Sequence, residues 1–252
     1  MPRTPPIAVR RELRREVGFG CPVGGCGNPY LEYHHFDPPW NEEHHHDPAR
    51  MIALCVGHHA KAKAWSKEQL RSMKLVSSDR SEVRGKFEWM REDILAVVGG
   101  NFFYETPKIV VFRDEPMIWF ERDEDNRLQL NLRVLTASGL PRTRLENNDW
   151  IIRGDPIDVE SPPTGSFLRV RYDNGDDVSI RFREWRDTSQ LGRTYPTALD
   201  LGTSLRFPVI TAEITVAVGG TKINFGPTTT HLPGAQLTGL VVAHSNVGFR
   251  FS

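Results

Sequence analysis

The residues best suited to chemistry are three cysteines, Cys21, Cys26 and Cys55, and the histidine pair that follows the last of them, His58-His59. Cys21 and Cys26 enclose Pro22-Val23-Gly24-Gly25, a short glycine-bearing segment that can fold into a knuckle and aim two thiolates at one ion. Cys55 and His58 form a second pair with two residues between them. Together they make a Cys3His set with the paired spacing of a closed, tetrahedral structural zinc site. An odd, small cysteine count behind an N-terminus with no apolar stretch of signal-peptide length argues against a disulfide framework. A metal there would contribute folding energy to a region rich in Gly, Pro and His and poor in regular apolar pattern.

A second set of histidines lies beside the first. His34-His35 precedes Phe36-Asp37-Pro38, and the run Met51-Ile52-Ala53-Leu54-Cys55-Val56-Gly57-His58-His59 follows after a loop. Over residues 18–65 this combination resembles the HNH endonucleases: a zinc knuckle, a histidine pair before proline, then an apolar run leading through a second knuckle to a final histidine. The resemblance implies a small ββα-metal (His-Me finger) nuclease domain. It implies His34 and His59 as ligands of a catalytic divalent ion, His35 as general base, and Cys21, Cys26, Cys55 and His58 as ligands of the structural Zn2+. The sequence departs from the family at the middle position, where Arg50 stands in place of the motif asparagine. Arg50 could instead clamp a phosphate, as could Lys61 and Lys63 just after His59. The run His44-His45-His46 reads as an exposed loop, with His46 as a supplementary metal ligand the alternative.

The implied division of labour is chemically coherent. Phosphodiester hydrolysis needs an activated water, charge opposite the transition state and help for the leaving oxygen. A neutral imidazole can accept the water's proton near neutral pH. A divalent ion (Mg2+, Mn2+, Ni2+ or Zn2+) can supply the charge, and imidazole ligands suit the last three better than Mg2+. Adjacent residues on an extended segment point to opposite sides, so His34 and His35 cannot duplicate one another.

These residues need elements to position them. Residues 7–17 read as a short basic helix. Ser66, with Gln69 three residues on, resembles a capping box opening a helix whose apolar face holds Leu70, Met73 and Leu75. A second helix is expected from Ser81 to Val98, because Val83, Phe87, Met90, Ile94 and Val97 recur at three- and four-residue intervals, with Gly99-Gly100 ending it. Beyond Asn101 short Val-, Ile-, Phe- and Thr-rich runs alternate with turn residues. Asn174-Gly175 and Gly219-Gly220 mark hairpins. Trp119, Trp150 and Trp185 read as core residues, and His231 and His244 as ordinary surface histidines. The expected class is therefore α+β. The resemblance implies that residues 1–100 are the nuclease domain with its zinc and helical extension, and residues 101–252 are expected to form a mostly antiparallel β domain, sandwich or barrel.

Equal numbers of basic and acidic residues, 32 of each, give no overall charge to attract nucleic acid. Locally, residues 1–20 hold five arginines against two glutamates. Lys61, Lys63, Lys67, Arg71 and Lys74 face only Glu68 in the following basic stretch. No apolar run reaches the roughly 20 residues of a membrane span, so a cytoplasmic protein is expected. The resemblance implies DNA as substrate, with RNA the alternative, and fits a bacterial restriction or anti-phage defence setting. The β domain would select the target or sense a signal through a ligand or partner protein, and a homodimer is left open. The competing reading is a zinc-stabilised nucleic-acid-binding module whose nuclease site has decayed.

Overall fold

The computed structural model describes residues 1–76, 81–89, 91–136, 139 and 141–251. The chain is mixed α and β, with strands predominating. It divides into two compact units, Met1–Gly85 with Ile152–Arg171, and Lys86–Ile151 with Tyr172–Ser252. The division does not follow the boundary expected at residue 100: it falls earlier, and residues 152–171 return to the first unit.

In the first unit, α1 (Ile7–Glu16) buries Leu13 and carries Arg14 and Arg15 in its last turn, where cations suit the helix dipole. β1 (Leu31–His35) pairs antiparallel with β2 (Met51–Cys55), Leu31 opposite Cys55 and His35 opposite Met51. Every residue of β2 is buried. Met51 to Leu54 pack with Leu13, Val17, Leu31 and Phe36 in one core. A single-turn helix, α2 (Val56–His59), follows β2 directly. Then comes α3 (Lys67–Val76), whose start is closed as the capping box requires: Ser66 N–H donates to Gln69 Oε1 at 2.8 Å and Gln69 N–H to Ser66 Oγ at 3.2 Å. Leu70 is buried beneath it. Met90 and the side chain of Leu75, both expected on helical faces, lie outside the described residues.

Among the described residues of 81–98 the expected helix is absent. β3 (Glu82–Lys86) and a strand Ile94–Val98 occupy its two ends. All five residues of Ile94–Val98 are buried, so its apolar run reflects a strand covered on both faces, a pattern that periodicity alone cannot tell from a helix. Gly99 and Gly100 do not terminate a helix. With φ of +58° and +73° they form the two-residue turn joining Ile94–Val98 to Asn101–Tyr104, with Val98 opposite Asn101. A Cβ at Gly100 would collide with the Thr228 backbone carbonyl.

The second unit is built on two sheets. One runs Val247–Phe251, Lys108–Phe112, Glu115–Arg122, Leu128–Leu135, Pro141–Glu146, with its first pair parallel and the following pairs antiparallel. The other centres on Val209–Ala217, which pairs antiparallel with Asp177–Trp185 and parallel with Ile94–Val98. The sheets meet through Phe249, whose ring lies against Phe103 and Phe225. Gly219-Gly220 lies in the hairpin connecting Val209–Ala217 to Asn224–Phe225, as expected. Trp119, Trp150 and Trp185 are buried. A helix Thr188–Thr194, capped by Asp187 accepting from Gln190 N–H, lies in the region expected to be mostly β. No helix among the described residues is long and apolar enough to cross a membrane.

Candidate metal centres

The knuckle forms as its residues require. Cys21 N–H donates to Asn28 O, Cys26 N–H to Val23 O and Gly27 N–H to Cys21 O. The end of β2 and the single turn of α2 bring Cys55 and His58 to the same point. His58 Nδ1 lies 3.3 Å from both Cys21 Sγ and Cys55 Sγ, and Cys26 Sγ is 4.0 Å from Cys55 Sγ. All four donor atoms lie within 4.8 Å of one another. Tetrahedral zinc, with bonds of about 2.0–2.3 Å, places its donors roughly 3.5–3.8 Å apart, so these residues fit such an ion with little rearrangement. No disulfide joins the cysteines: the 4.0 Å between the Cys26 and Cys55 sulfurs is far beyond a sulfur–sulfur bond of about 2.05 Å. Burial pushes the Cys21 thiol up to about 12, with the neighbouring Cys55 thiol adding to the rise. A divalent cation reverses that preference, because it binds the thiolate and releases the proton.

A second group forms on one face of β1. Glu32 and His34, two residues apart, share that face. The His34 and His59 rings meet edge to face with centroids 5.2 Å apart. His59 Nδ1 is 2.7 Å from Glu32 Oε2. A carboxylate on one imidazole nitrogen leaves the other as a directed ligand, the usual outer-shell arrangement of a metal-binding histidine. Two imidazoles on one ion, with metal–nitrogen bonds of about 2.0–2.1 Å, have centroids roughly 5–6 Å apart. Burial, reinforced by the nearby His59, Arg3 and Lys63, pulls His34 down to about 4, so its ring is neutral at ordinary pH. Glu32 is the residue that sequence reasoning missed, although its place two residues before His34 was the available signal.

His35 faces the other way. It is buried against Trp40, His45 and His46, at centroid distances of 4.8, 5.1 and 5.8 Å. The chain thus brings His34 and His59 together and sets His35 in a different cluster. Burial, then the neighbouring His45, lowers His35 to about 4.

No family model, curated protein or solved structure matches this chain. Function must therefore be argued from these groups themselves.

The residues expected to meet phosphate are placed unevenly. Arg50 pairs with Glu43 at 2.8 Å and Asp47 at 3.1 Å, so its charge is already matched. Lys61 and Lys63 are exposed, in a turn and a 3-10 segment ahead of α3 rather than in a helix. The basic character of residues 1–20 is largely absorbed within the unit. Arg14, 1% exposed, donates two bonds to Asp158 Oδ1 and one to Oδ2, and its Nη1 reaches Tyr33 Oη at 2.8 Å. Arg11 and Arg171 also pair with Asp158, and Arg10 with Glu160. This network fastens α1 to β1 and to the strand Asp158–Glu160.

Proposed function

We propose that the first unit is a metal-dependent endonuclease of the HNH kind, hydrolysing phosphodiester bonds in DNA, with RNA as the alternative substrate. The observation that carries this reading is the His34–His59 contact, backed by Glu32 and set one residue from the Cys3His cluster. Cys21, Cys26, Cys55 and His58 would hold a structural Zn2+ that fixes β2 and the turn carrying His59. His34 and His59 would hold the catalytic divalent ion. When bound, that ion supplies positive charge to the phosphate and polarises the leaving oxygen.

The chain's own residues do the rest. Glu32 accepts from His59 Nδ1–H and so presents Nε2 outward. His34 stays unprotonated because it is buried. His35 is the base implied by the resemblance; its Nε2 carries no hydrogen-bond partner but is buried on the other face of β1, so this role requires the segment around it to open to water. Lys61 and Lys63 are exposed cations beside this face and suit phosphate contact. The second unit would select the target or respond to a ligand or partner protein, and a restriction or anti-phage role is the setting this combination fits.

Two observations favour a second reading. His35 lies across β1 from His34, and Arg50, at the motif asparagine position, is occupied by Glu43 and Asp47. A zinc-stabilised nucleic-acid-binding module without turnover would carry both features. Supercoiled plasmid incubated with zinc-loaded protein and Mg2+, Mn2+ or Ni2+ separates the two. The nuclease reading expects nicking that chelator stops and that His35→Ala lowers by about 100-fold or more. Retention of plasmid in a mobility shift, without cutting under any of these ions, would establish the binding module instead.

A further inference from the structure

The cluster on the far face of β1 holds more than the lone pair assigned to the base. Its imidazoles are held in defined tautomers by the backbone. His45 is fully engaged: its Nδ1 accepts from Asp47 N–H at 3.3 Å and its Nε2 donates to Pro38 O at 3.0 Å. His46 Nε2 donates to Pro2 O at 3.0 Å, which leaves Nδ1 as a bare lone pair. His35 hydrogen-bonds to the His45 backbone, and the nitrogen left over is Nε2. Both leftover nitrogens, His35 Nε2 and His46 Nδ1, are buried and without a partner. His35 as a whole is only 5% exposed.

Two buried lone pairs with no donor are costly, since each loses its hydration without compensation. A histidine whose other N–H is fixed by a backbone carbonyl is also the standard presentation of a metal ligand. The His35 and His46 centroids are 5.8 Å apart, inside the roughly 5–6 Å that two imidazoles on one ion require. We propose that His35 Nε2 and His46 Nδ1 form a third metal site, for a borderline divalent cation of the Zn2+, Ni2+ or Cu2+ class, on the face of β1 opposite His34 and His59. Imidazole nitrogen selects those ions over Mg2+ and Ca2+. Binding displaces no proton, because both nitrogens are already bare. Trp40, stacked on His46 at 5.3 Å and on His44 at 4.5 Å, walls the site on one side.

The site has a consequence that rests on the nuclease reading. An ion on His35 Nε2 occupies the lone pair assigned to the base. Excess Zn2+ or Ni2+ would then inhibit cleavage that the same ions at low concentration support, giving a metal dependence with a maximum.

The test is calorimetric titration of the full chain, its Cys3His cluster loaded with zinc, using Ni2+ alone as the probe. Wild type is expected to bind Ni2+ in a step that His46→Gln weakens at least 10-fold and that His59→Ala leaves in place. Equal affinity and stoichiometry in wild type, His46→Gln and His35→Gln would overturn the site. A measurement on the wild-type chain guards against a variant that fails to fold. In long-range proton–nitrogen spectra, added Zn2+ should shift one Nε2 and one Nδ1 imidazole resonance together, and unmoved resonances at millimolar Zn2+ would reject the proposal. Nuclease assays stay separate. If Ni2+ binds at His46 and no ion supports cleavage, the enzymatic reading fails while the site stands. If cleavage occurs and His46→Gln does not alter Ni2+ binding, the reverse holds.

Discussion

The two units of this chain are ordered by different kinds of interaction. In the first, a modest apolar core around β2 is accompanied by a Cys3His cluster and by a buried ion network in which Asp158 receives Arg11, Arg14 and Arg171. In the second, apolar strands in two sheets supply the order, with Trp150 and Trp185 among the buried residues. Apolar burial is spread over many atoms, so its loss is graded. Thiolates around one ion, or guanidinium groups around one carboxylate, fail more abruptly, because removing one group strands the rest. The unit that carries the candidate chemistry is therefore the one whose stability hangs on a few polar atoms.

The sharpest way to break this contrast is to disable metal binding at the Cys3His cluster. Replacing Cys55 with Ser, or stripping zinc with a strong chelator, should forfeit a binding energy of about 10 kcal/mol or more and unfold the first unit. Segment-resolved hydrogen exchange should show protection lost over residues 21–59 while the strands of the second unit stay protected. Unchanged exchange over residues 21–59 in a zinc-free protein would remove the distinction.

Next in size is Asp158→Ala. It leaves Arg14 buried without its counter-charge and should cost about 3–5 kcal/mol, measured as a shift in the denaturation midpoint. Trp150→Ala in the second unit should cost a similar amount by cavity formation. The comparison is sharpened by a chemically gentler pair: Asp158→Asn should still be severely destabilising, whereas Trp150→Phe should recover much of the loss. A smaller effect, about 1–3 kcal/mol, is expected from Gly100→Ala, which puts a side chain on left-handed backbone against Thr228.

The smallest effect is one of pH, and it falls on the first unit. His34 and His35 titrate near 4 in the folded chain against 6.5 ordinarily. Between those values the unfolded chain binds protons that the folded chain refuses. Their contribution is complete above pH 6.5 and is lost as pH falls toward 4. Urea midpoints at pH 7 and pH 5 should differ more in wild type than in His34→Asn.

What could be read in advance follows the range of the interaction. The Cys21–Cys26 knuckle, the capping box at Ser66 and Gln69 and the Gly219-Gly220 hairpin are written in residues close together in sequence, and the structure carries all three folds, the knuckle as part of a Cys3His cluster able to hold a metal ion. The stretch Ile94–Val98 misled because a strand buried on both faces lacks alternation, and Ile94 with Val97 imitates a helical repeat. Gly99-Gly100 was recognised as a break but not as a hairpin turn, which only the strand on its far side discloses. The helix Thr188–Thr194 had a short-range mark, Asp187 three residues before Gln190, but too few apolar positions to stand out. The Arg14–Asp158 pair spans 144 residues, and no local pattern announces it. Arg14 reads as part of a short basic helix with a solvated face, and it is buried instead. Glu32 lies outside the histidine motif, and its partnership with His59 depends on the turn after β2 bringing His59 to its face of β1.

The central claim is that His34 and His59 share a catalytic ion on a scaffold held by zinc. The direct measurement is plasmid cleavage with Mn2+ or Ni2+ by wild type, His34→Ala and His59→Ala, each shown to retain one equivalent of zinc and a native melt. Cleavage by wild type and a loss of about 100-fold or more in both variants is the expected result. Cutting at the wild-type rate by either zinc-loaded variant, or no cutting by wild type with any of these ions, would contradict it.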